Sequence, residues 1–228
     1  MKLIALHTHS HTEFKDEWFL PSLMDDYDVQ LHAASIAGGG RYMEGDWVKG
    51  VILKSDTIIQ AIRDNWGEVI VYSDVDIQFF APTRPLIEAA IKHHDIACQK
   101  NDPAGTMCTG FFAVRCNDRT LGLWEQVRAL IPQRRRDQLT FNGLLKQSPE
   151  IRVRHLPTSF FGGGTFTGSV WTPPQGIRIP LNPVMHHANW CVGHADKVAQ
   201  LRAVRAIVES GWRGIVANNL RCCLKGSG

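Results

Sequence analysis

One segment constrains this chain more than any other: Glu68–Ser73, reading EVIVYS. It is a nearly continuous apolar run, the pattern of a strand buried on both faces and not of one with a wet side. Such a strand needs helices above and below it. The clearest is expected at Asp46–Asn65, where Trp47, Val51, Ile58 and Ile62 share one face and Val48, Ile52 and Ile59 widen it. Further strands are predicted at Lys2–His7, Val29–Ala34, Ile96–Gln99, Gly110–Arg115 and Arg152–Leu156. Further helices are predicted at Phe14–Asp25, near Leu86–His93 and Leu121–Ile131, and at Asp137–Lys146 and Asp196–Ser210. Gly38-Gly39-Gly40 reads as a break, and the chain beyond Pro157 as Gly- and Pro-rich loop up to the last helix. Strands alternating with helices predict an α/β fold with a mostly parallel central sheet flanked by helices. Ligands of such sheets bind beyond the carboxyl ends of the strands.

The 228 residues, 44% hydrophobic and 21% charged, suit one domain spanning residues 1–228. A net charge of +3 fits an anionic ligand without marking a nucleic-acid binder. The six cysteines form no CxxC pair, which argues against a zinc knuckle, and they read as reduced thiols. The apolar run at Met1–His7 is too short for a signal peptide, and no stretch reaches the ~20 apolar residues of a membrane helix. The expectation is a cytoplasmic protein of bacterial or viral origin that does not engage a membrane.

Directly after the buried strand stands Ser73-Asp74-Val75-Asp76. Two carboxylates held ~4 Å apart repel by a few kcal/mol at an effective dielectric of ~20. A hard divalent cation relieves this, and such a metal often shares its shell with substrate phosphates. Lys54 lies on the apolar stripe of its helix, where a lysine must reach water or meet an anion. In Met185–Lys197, a neutral imidazole from His186 or His187 could complete a metal shell, Gly193 would let backbone approach a phosphate, and Lys197 could neutralise it. Asp137-Gln138, with Asn142 following, opens a helix behind Arg134-Arg135-Arg136; the carboxylate is either a cap or an orienting group for a sugar hydroxyl. His7-Thr8-His9-Ser10-His11 is read as a loop after the first strand that touches a nucleotide base, in preference to a zinc site.

Five segments in this order resemble the nucleotide-diphospho-sugar transferase family, in the group of family 77 glycosyltransferases with the GT-A (Rossmann-like) fold. They are Lys54; Val69–Phe80 (VIVYSDVDIQFF); Thr109–Arg115 (TGFFAVR); Asp137–Asn142 (DQLTFN); and His187–Lys197 (HANWCVGHADK). The resemblance covers roughly Lys2 to Leu201. It implies a nucleotide-binding half at about 1–100, an acceptor-binding and metal-completing half at about 101–210, and a tail at 211–228. It further implies that Asp74 contacts the donor ribose or metal-bound water, and that Asp76 and His187 ligate Mn²⁺ or Mg²⁺. Gly193, Lys197 and Lys54 would hold the diphosphate, and Asp137 and Gln138 would sit beside the transferred sugar. Members of this type resemble retaining enzymes that use UDP-sugars. Cys108 departs from the pattern, standing where an Asn often precedes Thr-Gly. The acceptor is expected to be a glycan, a small molecule or, given the arginine run, a modified nucleic acid, with Phe160–Gly164 either a flexible loop shaping its pocket or a plain surface loop. Two rival readings are a metal-dependent phosphohydrolase using HTHSH and DVD, and a nucleotide-sugar-binding protein without transfer activity.

Overall fold

The computed structural model describes residues 1–36 and 46–225, so Gly38-Gly39-Gly40 lies outside the described residues. A six-stranded sheet has the order β2-β1-β3-β6-β5-β7. β1 (Lys2–Thr8) runs parallel to β2 (Asp28–Ala34) and to β3 (Val69–Ser73). β6 (Met107–Arg115) is antiparallel to β3 and to β5 (Ile96–Lys100), and β7 (Val153–His155) is parallel to β5.

Strand alternation divides the apolar residues between two cores. Leu3, Ala5, Val71, Phe111 and Ala113 face one way; Ile4, Ile70, Tyr72, Phe112 and Val114 face the other. The second face is covered by α2 (Trp47–Asp64), α4 (Asp118–Arg134) and α5 (Asp137–Leu145), whose Ile58, Trp124 and Phe141 are buried there. The first face receives α3 (Arg84–Ile91), α6 (His194–Glu209) and the helical stretch made of a π-helix at Phe14–Phe19 and α1 (Leu20–Ser22). Pro21 does not interrupt this stretch: it follows the π-helical turns in the last turn of helix, which ends at Ser22.

The sequence reading missed a second sheet and a helix. β4 (Ile77–Phe79), β9 (Met185–His187) and β8 (Phe160–Gly162) form a three-stranded sheet in the order β4-β9-β8. Three-residue strands carry too little periodicity to be seen. The expectation of a flexible loop at Phe160–Gly164 is therefore wrong. Phe160 and Phe161 are fully buried, and a Cβ on Gly164 would lie 2.3 Å from the Trp190 ring. After α6, α7 (Gly211–Lys225) follows in the segment read as a tail. No described helix is long and apolar enough to cross a membrane, and Cys98, Cys108, Cys116 and Cys191 are buried free thiols.

Asp95 locks the far edge of the main sheet. Its buried carboxylate accepts from Arg119 at 2.6 Å, Asn117 at 3.2 Å and the Arg152 backbone N–H at 2.9 Å, joining β5, the start of α4 and the residue before β7. Burial opposes the charge, but these donors outweigh it and hold the carboxyl at about 2. A depressed carboxylate pKa stabilises the fold above the unfolded value and loses that contribution as pH falls through the folded one. The expected contribution is about 2 kcal/mol, present above pH ~4 and lost towards pH ~2. Urea denaturation at pH 7 should find Asp95→Asn weaker by about that amount, with the gap to wild type closing near pH 2. A gap independent of pH would contradict the assignment.

Candidate active site

The site is built where the main sheet hands over to the small one. Beyond β3, the Asp74 N–H donates to the Gly110 carbonyl at 2.7 Å, extending the β3–β6 pairing by one residue. Two residues on, the Asp76 carbonyl accepts from the Ala188 N–H at 2.8 Å, and Ile77 pairs with His187. Backbone on both sides thus fixes the segment. Val75 between them is buried in the core, so Asp74 and Asp76 project together on the other side.

His187 completes the group. Its Nε2 lies 3.3 Å from Asp76 Oδ1 and 4.0 Å from Asp74 Oδ2. Ligand atoms of Asp74, Asp76 and His187 all fall within 4.8 Å of one another, the one such group among the described residues. His186, next in sequence, faces away: its ring bonds to Gln78 and Gln200 at 3.2 Å each, and burial with the neighbouring His187 pushes it down to about 3. His187 shows the reverse. Burial would lower it, yet the Asp76 carboxylate above all raises it to about 10. The carboxylates thus favour positive charge at Nε2.

Two lysines answer the same field. Lys197 Nζ reaches Asp76 Oδ2 at 2.6 Å. Lys54 Nζ lies 3.1 Å from Asp74 and 3.4 Å from Asp137, above the Tyr72 ring. Burial disfavours both ammonium groups, but the aspartates keep each above its ordinary lysine value. Against the same burial, Lys197 and His187 hold the Asp76 carboxyl well below the usual range. Tyr72, pushed well up by burial and Asp74, stays protonated and donates to Asp74 Oδ1 at 3.1 Å.

The donor set suits a hard divalent cation: two carboxylates and one imidazole. Its surroundings suit one too. The Gln99 amide oxygen lies 3.2 Å from His187 Nδ1 while its buried amide nitrogen has no partner. Accepting the Nδ1 proton leaves the Nε2 lone pair facing the carboxylates, the arrangement typical of a ligating histidine. Cys108 Sγ, 3.6 Å from Nδ1, is a weaker second acceptor.

Asp74, Asp76, Lys54, Asp137 and Lys197 line a cleft of about 200 Å³ that continues along Leu6, His7 and Thr8 of β1 to Trp47 and Val51 of α2. Asp137 is no helix cap: its carboxylate accepts from Thr109 Oγ1 at 2.9 Å. Gln138 instead turns to the strand, accepting from the Thr109 N–H at 3.2 Å, and Asn142 brackets the Met107 backbone with two 2.9 Å bonds.

A family profile for nucleotide-diphospho-sugar transferases matches residues 6–201. The chain belongs to this family. Among solved structures, the chain resembles the glycosyltransferase GlyE of Streptococcus pneumoniae TIGR4, with a TM-score of 0.55 and 11% identity over 89% of this chain and 60% of that one. It also resembles a glycosyltransferase involved in the glycosylation of the major capsid of PBCV-1 (TM-score 0.54, 12% identity, 89% of this chain and 100% of that one). A third is mouse xyloside xylosyltransferase 1 (TM-score 0.52, 12% identity, 82% and 97%). At such identities the likeness is one of fold, and the fold is the expected GT-A arrangement. The chain spans 60% of the length of the GlyE structure. No curated protein matches it.

The fold gathers most of the sequence-predicted site into one place. The HTHSH segment differs from expectation: His7 and Thr8 still belong to β1, and His9–His11 form one 3-10 turn in place of a loop. His7 and His11 line the cleft while His9 is exposed, so the three imidazoles do not converge. Gly193 is the N-cap of α6 and is not among the residues lining the cleft. Gln99 and Gly110 were missed. A Cβ on Gly110 would fall 2.3 Å from His187 Cε1 and 2.7 Å from Asp74 Oδ2, so only glycine lets the two side chains meet. A glycine inside an otherwise apolar strand was the available hint. Gly110→Ala should therefore weaken Mn²⁺ binding at least tenfold, read by calorimetry, with far-UV dichroism unchanged; undiminished affinity would contradict the close approach.

Proposed function

We infer that the chain transfers a glycosyl group from a nucleotide-diphosphate sugar to a hydroxyl acceptor, with a divalent cation held by Asp74, Asp76 and His187. The observation that carries this reading is the convergence of those three side chains with Lys54 and Lys197 on one cleft. Bound there, Mn²⁺ or Mg²⁺ supplies neutralisation of the charge that grows on the departing diphosphate.

The chain's own residues account for the rest. Lys197, 2.6 Å from Asp76 on the cleft wall, is the residue we assign to the diphosphate oxygens. His7 Nδ1 is buried without a partner on the cleft wall, which leaves it hydrogen-bonding capacity for a nucleotide base. Thr8 already bonds Ser10 at 2.9 Å and His11 at 3.0 Å, a network that orients its hydroxyl. Lys54 bridges Asp74 to Asp137 and so ties the metal group to the carboxylate of α5. UDP as the nucleotide and retention of anomeric configuration rest on the family resemblance. Asp137 is the carboxylate we assign to the reacting sugar, and Gln138 acts through Thr109 as a positioning residue.

Release of UDP from a panel of UDP-sugars, with Mn²⁺ or with EDTA, tests the reading. EDTA should abolish release, and Asp76→Asn should cut it at least a hundredfold. Asp137→Asn should lower kcat at least tenfold while leaving UDP–Mn²⁺ affinity within about twofold. Metal-independent release, or turnover of simple phosphate esters without a nucleotide sugar, would overturn the proposal.

A further inference from the structure

A second cavity, about 470 Å³, opens between the segment Gly163–Arg178 and α7. Its walls hold two guanidinium groups, Arg178 and Arg221, and no aspartate or glutamate. Among the described residues no carboxylate pairs with either arginine. Arg178 lies 5.8 Å from the centre of the Phe166 ring, and the indole of Trp171, its N–H already bonded to the Gln175 carbonyl at 3.0 Å, is buried in the wall. Thr167, Ser169 and Asn218 also line it, the Asn218 amide donating to the Ile177 carbonyl at 2.8 Å. Arginine offers a planar fork matched to carboxylates, aromatic faces suit the apolar side of a sugar ring, and hydroxyl and amide groups suit its rim.

The groove lies close to the metal group along the small sheet. Gly163 on its wall directly follows Gly162 of β8, which pairs with His187 of β9. Adjacent strands lie about 4.8 Å apart and successive Cα atoms about 3.8 Å, so the groove begins on the order of 10 Å from the metal group.

We propose that this groove binds the stem of a carboxylate-bearing oligosaccharide, holding an acidic glycan acceptor for the cleft; this rests on the reading of the cleft as the donor site. Two isolated guanidinium groups among hydroxyls and amides favour a glycan over a nucleic acid, which needs a longer cationic track. The test is calorimetric titration of the full chain with a hyaluronan tetrasaccharide and with neutral chitotetraose, with UDP–Mn²⁺ binding measured separately. The hyaluronan fragment should bind and the neutral one should not. Arg178→Ala and Arg221→Ala should each weaken binding about tenfold, with Arg178→Lys losing less, while UDP–Mn²⁺ affinity stays unchanged. Hyaluronan binding in a wild-type chain that takes up no UDP would support the groove and remove the donor reading alone. Equal binding of chitotetraose, binding of neither sugar, variants that bind as wild type, or an octathymidylate that binds more tightly with a steep salt dependence would overturn the proposal.

Discussion

Asp74 and Asp76 stand side by side at the end of a buried strand, and carboxylates so placed are tolerated only if positive charge is brought to them. Much of the architecture does that. Lys54 arrives from α2 on one face of the main sheet, Lys197 from α6 on the other, and His187 from the small sheet. Each cation belongs to a different element, so the cluster cannot form until the layers are packed. Asp76, 4% exposed, is kept charged against its burial by Lys197 and His187, so the arrangement is a prepared receptor for charge.

The small sheet is what turns two aspartates into a three-sided site. β4 continues from Asp76, and β9 lies against it so that His187 opposes Ile77. Because alternation sends His186 to the opposite side, one histidine of the doublet serves the cleft and the other joins the buried Gln78–Gln200 network. Close approach is then set by missing side chains. Gly110 admits His187 and Asp74, while Gly162 and Gly163 admit Asn189 and Gln200. Gln99 is retained in the core at the cost of an unpaired amide nitrogen, a cost that makes sense if its oxygen orients His187.

The main sheet was legible because its strands are long and apolar: EVIVYS announced both the strand and the place where the aspartates leave it. Lys54 was legible as a lysine in want of an anion, since its apolar neighbours fixed the helix face. Its partners were not, because Asp137 lies on another helix and only the packing of α5 against β6 brings them together. β8 and β9 were hidden by their length, and β8 by the glycines that follow it, which look like loop in sequence and are close-packed in space. α7 escaped notice because two glycines and adjacent asparagines dilute its pattern, although Ile215 is buried in one cluster with Val204 and Trp171. The choice between His186 and His187 required the strand register, which no local pattern contains.

The central claim is that Asp74, Asp76 and His187 hold a divalent cation that the donor diphosphate shares. Electron paramagnetic resonance of Mn²⁺ titrated into the full chain, with and without UDP, tests it most directly. The account predicts one bound ion whose affinity rises at least tenfold with UDP, and UDP affinity that rises by the same factor with Mn²⁺, since the coupling is reciprocal. Mn²⁺ and UDP that bind independently of one another, or Mn²⁺ binding that survives His187→Ala unchanged, would contradict it.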